Sequence, residues 1–270
     1  MIRIGERAPL ARPRRLALGV DKWMALQQAA EATGLTLPKD LRVILDPIDA
    51  AVAGLDVEAG LDAAADQLRR HGVLDDDGPV PAVAANLAAL GSAARRVRTS
   101  VAGPGLHRLG YYWADARLGG SLVRDGFTHT LSLYDARSLG DELLALVPAP
   151  EGEARGREPF AAPLDAVGPV AALDEVPDAV ARALGEFVDM PADDVARLRE
   201  RVESNRAVLH VTAVGPGRPP YALVWFLSRD GWWAGATRRR SDGVRMLTLT
   251  PRRREELRTD LAGLMTGAWL

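Results

Sequence analysis

Apolar positions along the chain fall first at helical and then at strand spacing, and that order occurs twice. Leu61, Ala65 and Leu68, then Val83, Leu87 and Leu90, stand three or four residues apart, the spacing of a buried helical stripe. Val180, Leu184 and Phe187, then Val195, Leu198 and Val202, repeat it, with Pro177 and Pro191 where first helical turns should start. Strands follow. Val97, Thr99 and Val101 alternate with Arg96, Arg98 and Ser100, which predicts one buried and one wet face. A Gly103-Pro104-Gly105 turn leads to His107–Arg117, with Leu109, Tyr111 and Trp113 on one face. A Gly119-Gly120 turn, a short strand and the Asp125-Gly126 turn lead to Phe127–Tyr134. The second set runs Ala207–Val214, Tyr221–Ser228, Trp232–Arg238 and Val244–Thr250, with Asp230-Gly231 and Asp242-Gly243 as hairpin signals. Each set closes on a helix, with Leu139, Leu143, Leu144 and Val147 as one stripe and Leu257, Leu261, Leu264 and Met265 as the other. Thr250 is placed to cap the second helix, with Pro251 at its first position.

Identities accompany the pattern. Gly103-Pro104-Gly105 recurs as Gly215-Pro216-Gly217, a shift of 112 that also places Trp113 on Trp225, Arg117 on Arg229, Gly119 on Gly231 and Val83 on Val195. After a four-residue insertion the shift of 116 places Leu131 on Leu247 and Leu133 on Leu249. Hairpin-connected strands framed by helices predict an α+β fold with a mainly antiparallel sheet. Duplication predicts a quasi-two-fold unit in which both strand sets join one sheet, separate lobes being the alternative. The halves are 1–147 and 171–270, forming one joint domain, and the Pro- and Gly-rich stretch 148–170 reads as a loosely packed linker.

Composition acts by exclusion. The 270 residues are 47% hydrophobic, enough for a packed core, and contain no cysteine, which removes disulfides, thiolate metal sites and Cys nucleophiles. The longest apolar run, Ala222–Leu227, is far short of the roughly 20 residues of a membrane helix. The basic N-terminus has no apolar h-region behind it, so a cytoplasmic location is expected. A net charge of −2 argues against a nucleic-acid binder, although Asp46–Asp77 is acidic and Arg238–Arg258 is basic.

Catalytic chemistry finds little support. His71, His107, His129 and His210 have no partner at metal-ligand spacing. Asp75-Asp76-Asp77-Gly78 lacks the alternation and distal Glu of a calcium loop and reads as a polar turn. Gly215-Pro216-Gly217 precedes a strand and has no Lys-Ser/Thr after it, so it is not a phosphate cradle. Gly119-Gly120-Ser121 lacks the flank of a nucleophile elbow, and Glu151 and Glu153 have no partner to tune them. No catalytic residue, cofactor or metal is therefore expected.

Two features mark candidate binding surfaces. Trp232-Trp233 stands beside the Asp230-Gly231 turn and ahead of Arg238-Arg239-Arg240; adjacent strand residues face opposite ways, so one Trp is expected in the core and the other exposed. Arg96 and Arg98 form an outward stripe, the kind of sheet face that could bind single-stranded nucleic acid if aromatics stacked beside it. A small-molecule site between the halves and an enzyme with a polar cleft are further alternatives.

Four stretches carry a resemblance: "QLRRHGVL" within Asp62–Gly72 and onward, "VPAVAANLAALGSAARRVRTSV", "YALVWFLSRDGWWAGA" and "VRMLTLTPRRREELRTDLAGLM". On these the chain, over about residues 16 to 266, resembles the EspG-like, ESX (type VII) secretion-associated proteins of actinobacteria. That resemblance implies two helical bundles flanking the central sheet. It also implies a cytosolic, non-enzymatic chaperone, monomer or homodimer, that holds a helical ESX substrate: a PE–PPE dimer or a WXG-type client. Carried over, the early loop is Gly103, Pro104 and Gly105; nearby sheet positions are Tyr112 and Trp113; the C-terminal part brings Trp225, Phe226, Trp232 and Trp233. Arg238, Arg239 and Arg240 would steer acidic client segments. Where the family reads Gly-Arg-Tyr after the acidic turn, this chain reads Gly231-Trp232-Trp233.

Overall fold

Alternation in two strands sets the centre of the molecule. Strand β4 (Arg96–Gly103) buries Val97, Thr99 and Val101 and exposes Arg96, Arg98 and Ala102; strand β9 (Asn205–Val214) buries Ala207, Leu209, Val211 and Ala213 and exposes alternate residues. They pair antiparallel, Arg96 opposite Val214 through Ala102 opposite Val208, so the buried faces coincide. The computed structural model describes residues 13–35, 37, 57–115, 117–149, 152, 158–171, 190–215 and 220–266.

The sheet grows outward from that pair. On one side follow β5 (Leu106–Ala114), β6 (Leu118–Asp125), β7 (Thr128–Asp135) and β1 (Arg14–Leu18). On the other follow β10 (Tyr221–Ser228), β11 (Gly231–Arg239), β12 (Arg245–Arg252) and β8 (Phe160–Pro163). The order β1-β7-β6-β5-β4-β9-β10-β11-β12-β8 makes ten antiparallel strands one joint sheet. A separate two-stranded ribbon, β2 (Leu74–Asp75) and β3 (Gly78–Pro79), holds the acidic turn, where Asp75 Oδ1 accepts from the Asp77 N–H at 3.0 Å. The β6–β7 connection is the two residues Gly126 and Phe127, whereas β11–β12 uses Arg240–Val244; the sequence shift lengthens at that point.

Helices cover the faces unequally. On one face α4 (Leu139–Ala145) and α7 (Arg254–Thr266) pack together across the centre, burying Val97, Val101, Tyr112, Leu209, Val211, Trp225 and Trp232 with Leu143, Leu257 and Leu261. Arg258 pairs with Asp141 at 2.6 Å between these helices. On the other face the helices of the described residues stand on the wings. Helices α1 (Val20–Ala32), α2 (Val57–Arg70) and α3 (Pro81–Ser92) cover β1, β7 and β6 through Trp23, Leu26, Leu87, Leu90, Trp113, Leu122 and Leu131. Helices α5 (Leu164–Ala171) and α6 (Ala192–Ser204) cover β8, β12 and β11 through Phe160, Ala166, Leu198, Trp233, Leu247 and Leu249.

Several expectations are corrected. Gly119 and Gly120 lie inside β6 and make no turn: Gly119 has the Tyr134 ring against it, and a side chain on Gly120 would meet Asn86 and the Trp113 indole. The stretch 148–170 is more than a linker, because Phe160–Pro163 is edge strand β8 and Leu164 begins α5. Its Pro and Gly content hid a four-residue strand, and Pro163 ends that strand at an edge, where proline is tolerated. Thr250 and Pro251 belong to β12, past the stretch that β8 pairs; α7 starts at Arg254, and Glu256 accepts from the Arg253 N–H at 2.7 Å. The stripe Val180–Phe187, Pro177, Glu151, Glu153 and Pro216-Gly217 lie outside the described residues, as do the side chains of Leu264 and Met265.

One buried polar clip ties the first wing to the sheet. Asn86 of α3 donates to the Ser132 carbonyl at 2.9 Å and accepts from the Trp113 indole N–H at 2.8 Å. Asn86→Ala should strand both groups and cost about 1–3 kcal/mol, read as a lower urea midpoint at an unchanged slope.

Candidate functional site

Between the two helical wings the central strip of the sheet is left open by the described residues. Strand registers place its residues in rows. Tyr111, Arg98, Thr212 and Ala222 form one row, and Leu109, Ser100, His210 and Val224 the next. His107, Ala102, Val208 and Phe226 form a third, while Arg96 and Val214 stand beside Trp113 at one end. Arg96, Arg98, Ala102, His107, His210, Thr212 and Ala222 are exposed, and Val214 retains 37% of its surface. Leu109 and Tyr111 lean against the α1–α3 wing and Phe226 against the α5–α6 wing, so both margins are half-buried and apolar.

Two of these cations touch the protein without meeting a carboxylate in those contacts. Arg96 donates to the Gly91 carbonyl at 2.9 Å, and the Arg98 guanidinium lies 5.5 Å from the Tyr111 ring centroid. The first contact ties Arg96 to the last turn of α3, and the second holds Arg98 against the β5 margin.

The aromatic residues singled out in the sequence support this floor from within. Tyr112 (1% exposed), Trp225 and Trp232 face the α4–α7 layer, where burial raises the Tyr112 hydroxyl far above its ordinary pKa. Trp113 and Trp233 face the wings. The expectation that Trp232 or Trp233 is exposed is therefore corrected: both are 1% exposed. They do face opposite ways, but helices cover both sides of β11 at that point. Trp233 is further fixed by Arg201, whose guanidinium lies 4.1 Å from its ring centroid, and by an indole N–H donated to Asp230 at 3.2 Å; Asp230 also binds Arg201 at 2.9 Å.

Gly103-Pro104-Gly105 and Arg238-Arg239-Arg240 are not brought together. The β4–β5 turn and the β11–β12 turn lie at opposite ends of the sheet. Gly103 lies so close to the Arg206 carbonyl that no side chain fits, and Gly105 has φ 66°, so turn geometry explains both glycines. Arg238, Arg239 and Arg240 are exposed, and Arg240 pairs with Asp242, which lowers that carboxyl's pKa. Of the aromatics carried over from the family, Phe226 is half-buried on the margin of the open floor, and buried Trp113 closes one end of it beside Arg96. Sequence reasoning missed Phe127, 52% exposed at the β6–β7 turn, and His210 and Thr212 on the floor. Alternation in β9 carried the signal for the last two, but only the pairing with β4 gives it meaning.

Truncating either buried indole should be costly. Trp232→Ala and Trp233→Ala are each expected to lose about 3–5 kcal/mol of stability in denaturant unfolding. A near-native midpoint for either would contradict its burial.

Comparison with known proteins places this geometry. No curated protein matches the chain in sequence. Among solved structures, the fold matches the Mycobacterium tuberculosis type VII secretion system chaperone EspG5, determined in complex with a PE25–PPE41 dimer. The TM-score is 0.56 at 15% sequence identity, over 92% of this chain and 94% of that one. The profile of the EspG family matches residues 25–263, nearly the whole described fold, and the chain belongs to that family.

Proposed function

We propose that this protein is a cytosolic chaperone of a type VII (ESX) secretion system that holds a helical substrate, PE–PPE-like or another ESX client, on the open floor of its sheet. Membership of the EspG family supports the class, and the EspG5 complex supports a PE–PPE-like partner. The observation that carries the site is the uncovered strip of β4 and β9, bounded by two helical wings and backed by the α4–α7 layer. A chaperone needs no reacting group; it needs a rigid platform with an apolar margin and a polar surround. Ten paired strands with buried tryptophans on both sides supply rigidity. Among the described residues no helix is long and apolar enough to cross a membrane, and no cluster of side chains could hold a metal.

Within this reading the site residues take different parts. Phe226 borders the client, Gly103, Pro104 and Gly105 form a lip at one end of the floor, and Arg238, Arg239 and Arg240 form a basic lip at the other. Tyr112, Trp113, Trp225, Trp232 and Trp233 hold the platform without touching the client. Co-expression with the PE–PPE-type or WXG-type proteins of the source genome tests the reading. The expected result is a complex near one-to-one on size exclusion. Failure of every such protein to co-elute would remove the function.

A further inference from the structure

The open floor is cationic along its midline and apolar along both margins. Arg96 and Arg98 are exposed there, His210 lies diagonally across from Arg98, and Ser100 and Thr212 add hydroxyls. Strands β4, β5, β9 and β10 contain no Asp or Glu, so the floor has no carboxylate of its own. Leu109 and Tyr111 on one margin, and Val224 and Phe226 on the other, supply the apolar rows.

We propose that the occupant of this floor is an amphipathic helix carrying a central row of carboxylates, which meet Arg98 and Arg96, between two rows of apolar residues that meet the margins. The proposal rests on the chaperone reading only for where such a helix comes from. From β5 to β10 is three strand spacings, about 14 Å. A helix with its side chains is about 10–12 Å across, so one helix fits and two do not. The eight residues of β4 run about 27 Å, the length of about 18 helical residues. Ala102 and Ala222 keep the floor shallow where a helix would lie. A single-stranded nucleic acid would also answer the charge, but it needs exposed aromatic faces for stacking. Tyr111 is half-buried beneath Arg98, Phe226 is half-buried against the α5–α6 wing, and the margin positions Leu109 and Val224 are aliphatic.

The absence of cysteine gives a direct test. Thr212→Cys places a single thiol on the floor, and Asp62→Cys places one on the exposed side of α2 as a control. The probes are two helical peptides of about 18 residues, identical except for Glu or Lys along the central row, with a single-stranded oligothymidylate as the third. Protection of the thiol from maleimide is the readout. The Glu peptide should slow alkylation of the Thr212→Cys protein at least tenfold and leave the Asp62→Cys protein unchanged; the Lys peptide should do neither. Adding Arg98→Glu should reverse the preference between peptides, with an unchanged melting temperature as the check on folding. If that variant does not fold, Arg98→Gln should abolish the preference. Equal protection by both peptides, protection by neither, or stronger protection by oligothymidylate would overturn the proposal. Protection by the Glu peptide without any ESX client in co-expression would sink the chaperone reading alone. A client complex indifferent to Arg98→Glu would sink this one alone.

Discussion

The pairing of β4 with β9 is the constraint on which the rest depends. Among the described residues, 96–102 against 208–214 are the strand contact that joins the two sets, and they turn two meanders into one ten-stranded sheet. The described helices cover the centre of that sheet on one face and its outer strands on the other. The helices that precede each meander, together with the edge strands β1 and β8, belong to the outer strands and stay on the wings. The helices that follow, α4 and α7, both fold back to the other face and meet at the middle. Among the described residues one side of the central pair is therefore buried under α4 and α7, and the other stays largely exposed.

That asymmetry explains the chemistry of the two sides. On the covered side the central positions are Val97, Val101, Leu209 and Val211, with Tyr112, Trp225 and Trp232 filling the volume beneath α4 and α7. Each such aromatic contributes far more than a surface contact could, because its whole area leaves water. On the open side the same strands carry Arg, His, Ser, Thr and Ala, residues that need no cover, with Val208 and Val214 toward the two ends. Half-buried Tyr111 and Phe226 mark where cover begins.

Strand alternation, the three hairpins of each set and the closing helices were legible in the sequence because period and turn chemistry are local. The joint sheet was legible from the duplicated order. Three local signals misled. Gly119-Gly120 looks like a turn until Tyr134, Trp113 and Asn86 are seen to occupy the space that side chains would take. Phe160–Pro163 is too short and too rich in small residues to stand out, and becomes a strand only because β12 offers it an edge. Trp232-Trp233 obeys alternation, but alternation says which way a side chain points and not what lies there. The segment Arg14–Ala32 carries little local signal, since the helix it holds is rich in alanine and its strand lies at an edge of the sheet. The open floor required long-range pairing, which no window of sequence contains.

The duplicated pattern also bears on how a client could lie. The 112-residue shift carries Arg98 onto His210 and Ser100 onto Thr212, and the β4–β9 register places these four side by side across the sheet centre. There the floor is close to its own two-fold image. Toward the ends the likeness fails: the same shift carries Arg96 onto Val208 and Ala102 onto Val214. The permanent guanidinium charges of these matched positions stand on β4 alone: Val208 is the sequence counterpart of Arg96, and Val214 is the residue opposite it. A backbone built for either orientation thus carries side chains that favour one. Exposed Arg206, on the same face of β9, stands toward the end opposite Arg96, so a helix with carboxylates at one terminus gains more attraction at the end that carries Arg96 and Arg98 than at the end that carries one guanidinium.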